Sequence, residues 1–300
     1  MKSKNAFSKL LKKLPVIGEY MSFKKNSCYP AGHYYSSIIS IDHVKEREIE
    51  IWEKAVFDGI SGIELQTENQ IKLINSFNKY YDEIPFTSQK QTKSRYYFEN
   101  GFYSYTDGIV LYSMIRHFRP KRIIEIGSGF SSALMLDTND FFFDKQIDLT
   151  FIEPYPERLL SLLNDNDKKN TTIIQSDVQK VPLNKFAKLN AGDILFVDST
   201  HVVKTGSDVN YILFEVLPNL QSGVLIHFHD VFYPFEYPKE WVFMGRNWNE
   251  DYFLKSFMMY NNNFEIKLFS EYLHRLHPHA FKNMPLTYKN FGANLWIEKK

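Results

Sequence analysis

The chain contains 300 residues, of which 44% are apolar, and its 36 lysines and arginines almost balance its 35 aspartates and glutamates. A chain of this size and composition can bury a substantial core, so we expect a globular protein with one enlarged domain or one domain and a cap. The near-zero net charge argues against a nucleic-acid surface spread over the whole molecule, and no apolar run reaches the roughly 20 residues that span a bilayer.

The amino-terminal segment and the single cysteine bear on location. Residues 1–21 place leucines among lysines, a pattern that suits peripheral contact with an anionic inner-membrane surface or, alternatively, a solvated helix that docks on its own domain. Cys28 cannot form an internal disulfide, and the sequence shows no secretory apolar segment. We therefore expect a reducing, cytoplasmic environment.

Helical and loop-like segments dominate residues 1–100, which we predict to form a cap that contributes to a substrate pocket. Residues 44–56 and 69–84 carry apolar side chains at helical spacing. Closer to the amino terminus lies CYPAGHYYSSI, residues 28–38, which suits either a substrate lid or a plain surface loop.

Strand and helix patterns alternate from about residue 101, so residues 101–300 are predicted to form a second domain of the α/β class with a mostly parallel sheet. The predicted strands are RIIEIG (122–127), LTFIE (149–153), TTIIQS (171–176), DILFVD (193–198) and VLIHFHD (224–230). Between the last two strands, residues 207–220 carry a single apolar stripe that predicts a core-facing helix. In such a sheet, ligands bind outside the carboxyl ends of the strands, near the point where strand order reverses.

The first strand ends in a glycine-bearing turn. Gly127 and Gly129 allow a tight turn and a close approach of the backbone to a ligand. Glu125 lies two residues before the first glycine, and Ser132 occupies the position where a dinucleotide-binding fingerprint has its last glycine. A pyrophosphate ligand is therefore disfavoured.

Carboxylates follow the next two strands. Glu153 ends the second strand and can accept two hydrogen bonds from a ribose diol, whereas Asp177 follows the third strand and can accept from an adenine amine. Each residue has a structural alternative, since Glu153 precedes Pro154 as a cap would and Asp177 could cap the helix that follows.

The densest polar cluster follows the fourth and fifth strands. Its members are Asp198, Ser199, His201, His227, His229 and Asp230. Because side chains alternate along a strand, His227 and His229 share one face, and His227 has the alternative of being a core residue. His229 or His201 suits a general base. Asp198 and Asp230 could instead hold a divalent cation such as Mg²⁺.

The motifs EIGSG, IEP, QSDV, VDSTH and LIHFHD resemble those of class I S-adenosylmethionine-dependent methyltransferases over roughly residues 95–300. The resemblance implies a Rossmann-like, seven-stranded, mostly parallel sheet. FEIKLF (264–269) and ANLWIEK (293–299) would form its terminal antiparallel hairpin, with the last strand beside the fifth. More narrowly, the GHYYS-like loop, the HD pair and the WNE segment are similar to bacterial small-molecule methyltransferases of the sugar-tailoring type.

Residue roles follow from this resemblance. It implies that Gly127, Ser128 and Gly129 line the methionine and ribose side of S-adenosylmethionine, that Glu153 holds the ribose, and that Asp177 holds the adenine. The predicted cofactor-binding set also includes Glu125, together with Asp107, which could close over the methionine end with Tyr105. For Asp107 a helix N-cap is the alternative.

The sequence thus predicts an O-methyltransferase that acts on a small hydroxylated acceptor, with a saccharide or glycoconjugate as one possibility. The catalytic candidates are His229, Asp198, His201 and Asp230. The alternative function is a non-catalytic S-adenosylmethionine-binding module within a carbohydrate-assembly complex. Near the carboxyl terminus, Asn249 is the expected cap of a helix whose dipole Glu250 and Asp251 complement.

Overall fold

The computed structural model describes residues 15–53 and 59–300, which divide into two compact units. The smaller unit contains residues 15–53 and 238–247, and the larger contains residues 59–237 and 248–300. Residues 59–100, which the sequence analysis assigns to the cap, lie in the larger unit. Among the described residues, no helix combines the length and apolarity needed to cross a bilayer.

Seven strands and a set of mostly short helices make up the described chain. The strands are β1 (Arg122–Ile126), β2 (Asp148–Ile152), β3 (Thr172–Ile174), β4 (Ile194–Val197), β5 (Leu225–His229), β6 (Phe264–Phe269) and β7 (Asn294–Lys299). The α-helices are α1 (Pro15–Asn26), α2 (Ile41–Glu46), α3 (Glu48–Trp52), α4 (Thr67–Ser76), α5 (Asn78–Tyr81), α6 (Tyr105–Phe118), α7 (Phe130–Phe142), α8 (Glu157–Leu162), α9 (Asp165–Asn170), α10 (Leu183–Phe186), α11 (Asp208–Tyr211), α12 (Lys239–Phe243), α13 (Glu250–Met258) and α14 (Ser270–Leu276). Short 3₁₀ turns occupy Val178–Lys180, Leu217–Asn219, Pro278–Phe281 and Pro285–Lys289.

The smaller unit is held together by contacts between α12 and the helices of residues 15–53. Lys239 Nζ lies 2.6 Å from Glu48 Oε1, and the ring of Trp52 meets that of Phe243 edge-on at 5.7 Å between centroids. The helix predicted over 44–56 is interrupted at Arg47, between α2 and α3. The leucines and lysines that predict membrane contact lie outside the described residues.

The sheet has the strand order β3-β2-β1-β4-β5-β7-β6. β1 to β5 are parallel to one another, whereas β7 runs antiparallel between β5 and β6. The last strand of the chain therefore lies beside the fifth, with Phe228 opposite Leu295. This arrangement confirms the predicted Rossmann-like sheet and its terminal antiparallel pair.

Burial on both faces explains why the central strands form where they do. Every residue of β4 and β5 is buried, and so is every residue of β1 except Arg122. Strands covered on both faces need continuous apolar runs rather than alternating ones. The predicted core stripe over residues 207–220 is also confirmed, since its apolar residues are buried in consecutive α, π and 3₁₀ turns that end at Asn219.

A four-charge cluster holds the segment before α6 against the helical layer. Arg95 forms ion pairs with Asp137 at 2.6 Å, Asp140 at 2.9 Å and Asp167 at 2.5 Å. Burial opposes the charge of Arg95, but hydrogen bonds to these carboxylates outweigh it and raise the pKa of the guanidinium. α7 and α9 are thereby tied to the chain that leads into α6.

The path of the chain through the sheet indicates the edge at which a ligand is expected to bind. From β1 the chain moves outward to β2 and β3 and then returns past β1 to β4, so strand order reverses between β1 and β4. In sheets of this type, ligands bind outside the carboxyl ends of the strands near such a reversal.

Candidate active site

A cavity of about 390 Å³ opens at the carboxyl ends of β1 to β4. It is lined by Ile126, Gly127, Ile152, Glu153, Pro154, Tyr155, Asp177, Val178, Gln179, Asp198, Ser199, Thr200, Lys204, Gly206, Ser207 and Asp208. The structure therefore brings together residues that the sequence analysis selected separately, from four different strand ends.

Gly127 is where the β1 and β4 loops touch. Its φ is +80°, and a Cβ at this position would lie 1.7 Å from the carbonyl oxygen of Asp198. The Asp198 amide also donates to Ile126 O at 2.9 Å, so the β1–β4 ladder continues past the strands into the site. Both the backbone conformation and the close approach require glycine.

Glu125 holds the turn after β1 from beneath. It is fully buried, and its carboxylate accepts hydrogen bonds from Ser131 Oγ at 2.5 Å and from Ser132 Oγ. Burial raises the pKa of Glu125 to about 8, against the lowering effect of these hydroxyls. Ser132 Oγ also accepts from the Gly129 amide at 3.0 Å. Glu125 thus positions the turn and is not part of the cavity lining.

Glu153 and Asp177 stand at the outer part of the cavity. The two oxygens of Glu153 accept from the amides of Ser128 at 3.1 Å and Tyr155 at 2.8 Å, which fixes the carboxylate at the end of β2. Asp177 occupies the N-cap position of the 3₁₀ turn Val178–Lys180, but its side chain makes no capping hydrogen bond there. Its carboxylate lies 2.5 Å from Lys180 Nζ instead.

Asp107 links α6 to the last strand. α6 begins at Tyr105 with Ser104 before it, so Asp107 is not the helix cap and that alternative is wrong. Its Oδ1 accepts from the Ala293 amide at 3.0 Å and from Asn294 Nδ2 at 2.7 Å. A contact between Asp107 and the methionine end of a cofactor stays a prediction.

His201 is surrounded by carboxylates. Its Nδ1 lies 2.8 Å from Glu250 Oε2, and its Nε2 lies 3.5 Å from Asp198 Oδ1 and 3.7 Å from Asp230 Oδ2. Burial lowers the pKa of His201, but the hydrogen bonds to Asp198 and Glu250 outweigh burial and hold it well above its usual value. The surrounding carboxylates therefore favour the protonated form of His201.

His229 is buried at the end of β5. Its Nε2 lies 3.6 Å from Asp230 Oδ1, and its Nδ1 has no hydrogen-bond partner within the described chain. Burial lowers the pKa of His229, yet the negative charges of Asp230, Asp198 and Asp107 together raise it above its usual value.

His227 is a fully buried core residue, although neither of its ring nitrogens has a hydrogen-bond partner within the described chain. Its ring stacks on Phe196 at 3.9 Å between centroids and meets Trp296 at 4.8 Å. Burial lowers the pKa of His227 well below its usual value, and the charge of His229 adds to that effect. A neutral imidazole suits an apolar setting of this kind.

The WNE segment has a role that its sequence does not show. The side chain of Asn249 does not cap α13 as predicted. It instead accepts from the Val203 amide at 2.6 Å and donates to Val203 O at 3.2 Å. The amides of Asn249 and Glu250 also donate to His201 O, at 3.1 and 3.2 Å. The start of α13 thus fixes the loop after β4.

The carboxylates Asp198 and Asp230 do not fit the predicted cation site. Both carboxylates face Nε2 of His201, while Glu250 contacts Nδ1 on the other side of the same ring. Residues 15–53 and 59–300 contain no group of three or more histidine, cysteine, aspartate or glutamate side chains arranged to hold a metal ion. The magnesium prediction is therefore unsupported.

Comparison with known proteins gives one family match and one close relative. A family model described as a methyltransferase domain matches residues 124–231, the segment from β1 to the end of β5. An uncharacterized protein from Archaeoglobus fulgidus is 35% identical over 176 residues, which cover 57% of this chain and 78% of that protein. The family match spans the residues that line the cavity and the histidine-bearing strand ends.

Solved structures give weaker matches. An S-adenosylhomocysteine-bound methyltransferase from Podospora anserina is 15% identical with a TM-score of 0.44, covering 81% of this chain and 100% of that one. A SAM-dependent methyltransferase from Archaeoglobus fulgidus is 14% identical with a TM-score of 0.35, covering 64% and 94%. At these scores the structural likeness adds nothing to the sequence matches.

Proposed function

The chain belongs to the class I S-adenosylmethionine-dependent methyltransferases, and from this premise we propose that it methylates an oxygen atom of a small hydroxylated acceptor. One observation carries the proposal. The histidine and carboxylate cluster at the ends of β4 and β5 shares Asp198 with the cavity that suits an adenosyl group. The methyl donor and a proton acceptor would therefore meet at one sheet edge.

The cofactor would lie along the strand ends in the order of the sheet. Glu153 at the end of β2 suits the ribose diol, because each carboxylate oxygen can accept more than the single amide hydrogen bond it has. Asp177 at the end of β3 suits the adenine amine. Ser199 Oγ is buried in the cavity lining without a hydrogen-bond partner in the described chain, as expected where a polar ligand binds.

The transfer step needs alignment and removal of a proton. The sulfonium already activates the methyl group, so the acceptor oxygen attacks the methyl carbon in line while the carbon–sulfur bond breaks, leaving S-adenosylhomocysteine. The hydroxyl proton would pass to His229 Nδ1, since Asp230 faces Nε2 and favours the tautomer protonated there. The carboxylates around His201 favour its protonated form, which would help to keep Asp198 ionised.

For the acceptor, we favour a saccharide or glycoconjugate hydroxyl. This choice rests on the narrower resemblance of the GHYYS-like loop and the WNE segment to sugar-tailoring methyltransferases. Sugar hydroxyls are weakly acidic, so a positioned base such as His229 would be needed for their methylation.

The test combines binding and transfer. Calorimetry should detect S-adenosylmethionine and S-adenosylhomocysteine, and methyl-labelled cofactor should pass label to hydroxylated acceptors but not to matched amines. Transfer to amines alone would contradict O-methylation. Cofactor binding without transfer to any acceptor, including those in an extract of the source cells, would favour the non-catalytic module.

A further inference from the structure

Arg158 places a guanidinium beside the turn after β1. The residue lies in the first turn of α8, five positions after Glu153. Its Cδ is 3.3 Å from the point where a Cβ on Gly129 would lie, so its aliphatic stem covers this glycine directly. A side chain longer than hydrogen at position 129 would displace it.

An aromatic platform supports this guanidinium. The central carbon of the group lies 4.0 Å from the ring centroid of Phe102, and Phe102 stacks on Phe130 at 5.8 Å with an interplanar angle of 13°. Such stacking favours a defined orientation of arginine while leaving its N–H groups available. α7 begins with Phe130, so the platform is part of the same turn.

Arg158 makes no ion pair with a carboxylate within residues 15–53 and 59–300. Arg95, by contrast, contacts three carboxylates in the same unit. The positive charge of Arg158 nevertheless affects the pKa of Asp198. Burial raises the pKa of Asp198, but the positive charges of His229, His201 and Arg158 outweigh burial and lower it.

Acidic residues outnumber basic ones in the lining of the cavity. Glu153, Asp177, Asp198 and Asp208 contribute negative charge to its lining. These groups suit the hydroxyls, the sulfonium and the ammonium of S-adenosylmethionine, but the α-carboxylate of the methionyl group needs a cation. Lys180 is already paired with Asp177, which leaves two candidates: Lys204, which lines the cavity, and Arg158, which lies outside the lining against Gly129.

The order of the strands in the sheet favours Arg158 over Lys204 as the partner of the carboxylate. If Asp177 at β3 receives the adenine and Glu153 at β2 the ribose, the methionyl group must extend toward β1, because the order is β3-β2-β1-β4. Arg158 lies against Gly129, in the β1 turn. Lys204 belongs to the loop whose Gly206 O accepts from Gln179 Nε2 at 2.9 Å, which places that loop on the β3 side.

We propose that Arg158 binds the α-carboxylate of S-adenosylmethionine and so fixes the methionyl end of the cofactor. The proposal rests on the proposed orientation of this cofactor. Two parallel N–H···O bonds from the planar guanidinium would set the direction of the methionyl chain, and with it the direction in which the methyl group points.

The experiment compares two ligands that differ by one carboxylate. Calorimetry would measure the Kd of S-adenosylmethionine and of decarboxylated S-adenosylmethionine for the wild type, Arg158→Gln and Arg158→Lys. In Arg158→Gln, we expect a loss of about 10- to 100-fold for S-adenosylmethionine and less than about threefold for the decarboxylated form. Arg158→Lys should recover part of the lost affinity, because lysine keeps the positive charge but cannot form two parallel hydrogen bonds with a carboxylate.

Lys204→Gln is the matched control, since it removes a cation that lines the cavity itself. We expect it to change the two affinities by similar factors. Equal losses for both ligands in Arg158→Gln would overturn the proposal, and so would a carboxylate-selective loss in Lys204→Gln alone. If the wild type bound neither ligand, the cofactor assignment itself would fail, which is distinct from failure at Arg158.

Discussion

The two halves of the candidate site are built by different means. The cofactor side, which comprises the turn Gly127–Gly129 with Glu153 and Asp177, depends on backbone geometry and on carboxylates fixed by amide hydrogen bonds. The transfer side, which comprises Asp198, His201, His229, Asp230 and Glu250, depends on charges packed within a few ångströms of one another.

This difference indicates how each half should respond to change. Substitutions on the cofactor side should alter affinity, because shape and hydrogen bonding determine how the adenosyl group binds. Substitutions on the transfer side should alter the rate and its pH dependence, because the protonation of one imidazole depends on the carboxylates around it. Gly127 is the exception, since it touches both halves.

Gly127→Ala should have the largest effect, because its Cβ would overlap Asp198 O at 1.7 Å. We expect loss of measurable cofactor binding and a decrease of about 3 kcal/mol or more in the free energy of unfolding. Calorimetry and denaturant titration would measure the two. Gly101→Ala is the matched control, since Gly101 also has φ +80° but no atom within 4 Å of the added Cβ. Equal destabilisation by both substitutions would show that backbone conformation alone requires glycine.

His229→Ala should lower turnover by about 10²- to 10⁴-fold through loss of the proton acceptor. The Kd of S-adenosylmethionine should stay within about tenfold of the wild-type value, because His229 lies outside the cavity lining. Steady-state rates and calorimetry on the same preparation would separate these effects. His279→Ala, which removes an exposed histidine, should change neither quantity. Full turnover in His229→Ala would remove this residue from the mechanism.

Glu153→Ala should weaken binding of S-adenosylmethionine and S-adenosylhomocysteine by about 10- to 100-fold, because two hydrogen bonds to a charged group would be lost. At saturating cofactor, turnover should fall by less than about tenfold. Glu157→Ala, an exposed substitution four residues away in α8, is the control. Unchanged affinity in Glu153→Ala would refute the ribose assignment.

Asp230→Asn should have the smallest effect, which is a shift in the pH profile. The base must be deprotonated to act, and carboxylates outweigh burial to raise the pKa of His229 above 6.5, so the wild-type rate should rise with pH through a midpoint above that value. Removing the charge of Asp230 should move this midpoint to lower pH. Asparagine tolerates the φ of +55° at this position. A midpoint that moves upward would exclude His229 as the base that Asp230 controls.

Sequence patterns located the strands within one or two residues, because continuous apolar runs between polar turns are required for buried parallel strands. They also located Glu153, Asp177 and Asp198 at the ends of those strands. They assigned Glu125 to the cofactor-binding set, whereas its carboxylate is buried against Ser131 and Ser132, because whether a carboxylate points into the cavity or into the core depends on what α7 places above it. Asn249 does occupy the N-cap position of α13 as predicted, but its side chain bonds to the loop after β4 instead of capping the helix.

The sequence by itself determined the order of strands along the chain, the glycine turn and the residues that each strand end presents, because these follow from local pattern and side-chain alternation. Only the tertiary structure decided in which direction the pKa of each histidine shifts. Glu250 is 49 residues from His201, and no local signal relates them, yet their contact at 2.8 Å helps to raise the pKa of His201 against the lowering effect of burial. Protonation depends on the surroundings in space, and folding alone sets those surroundings.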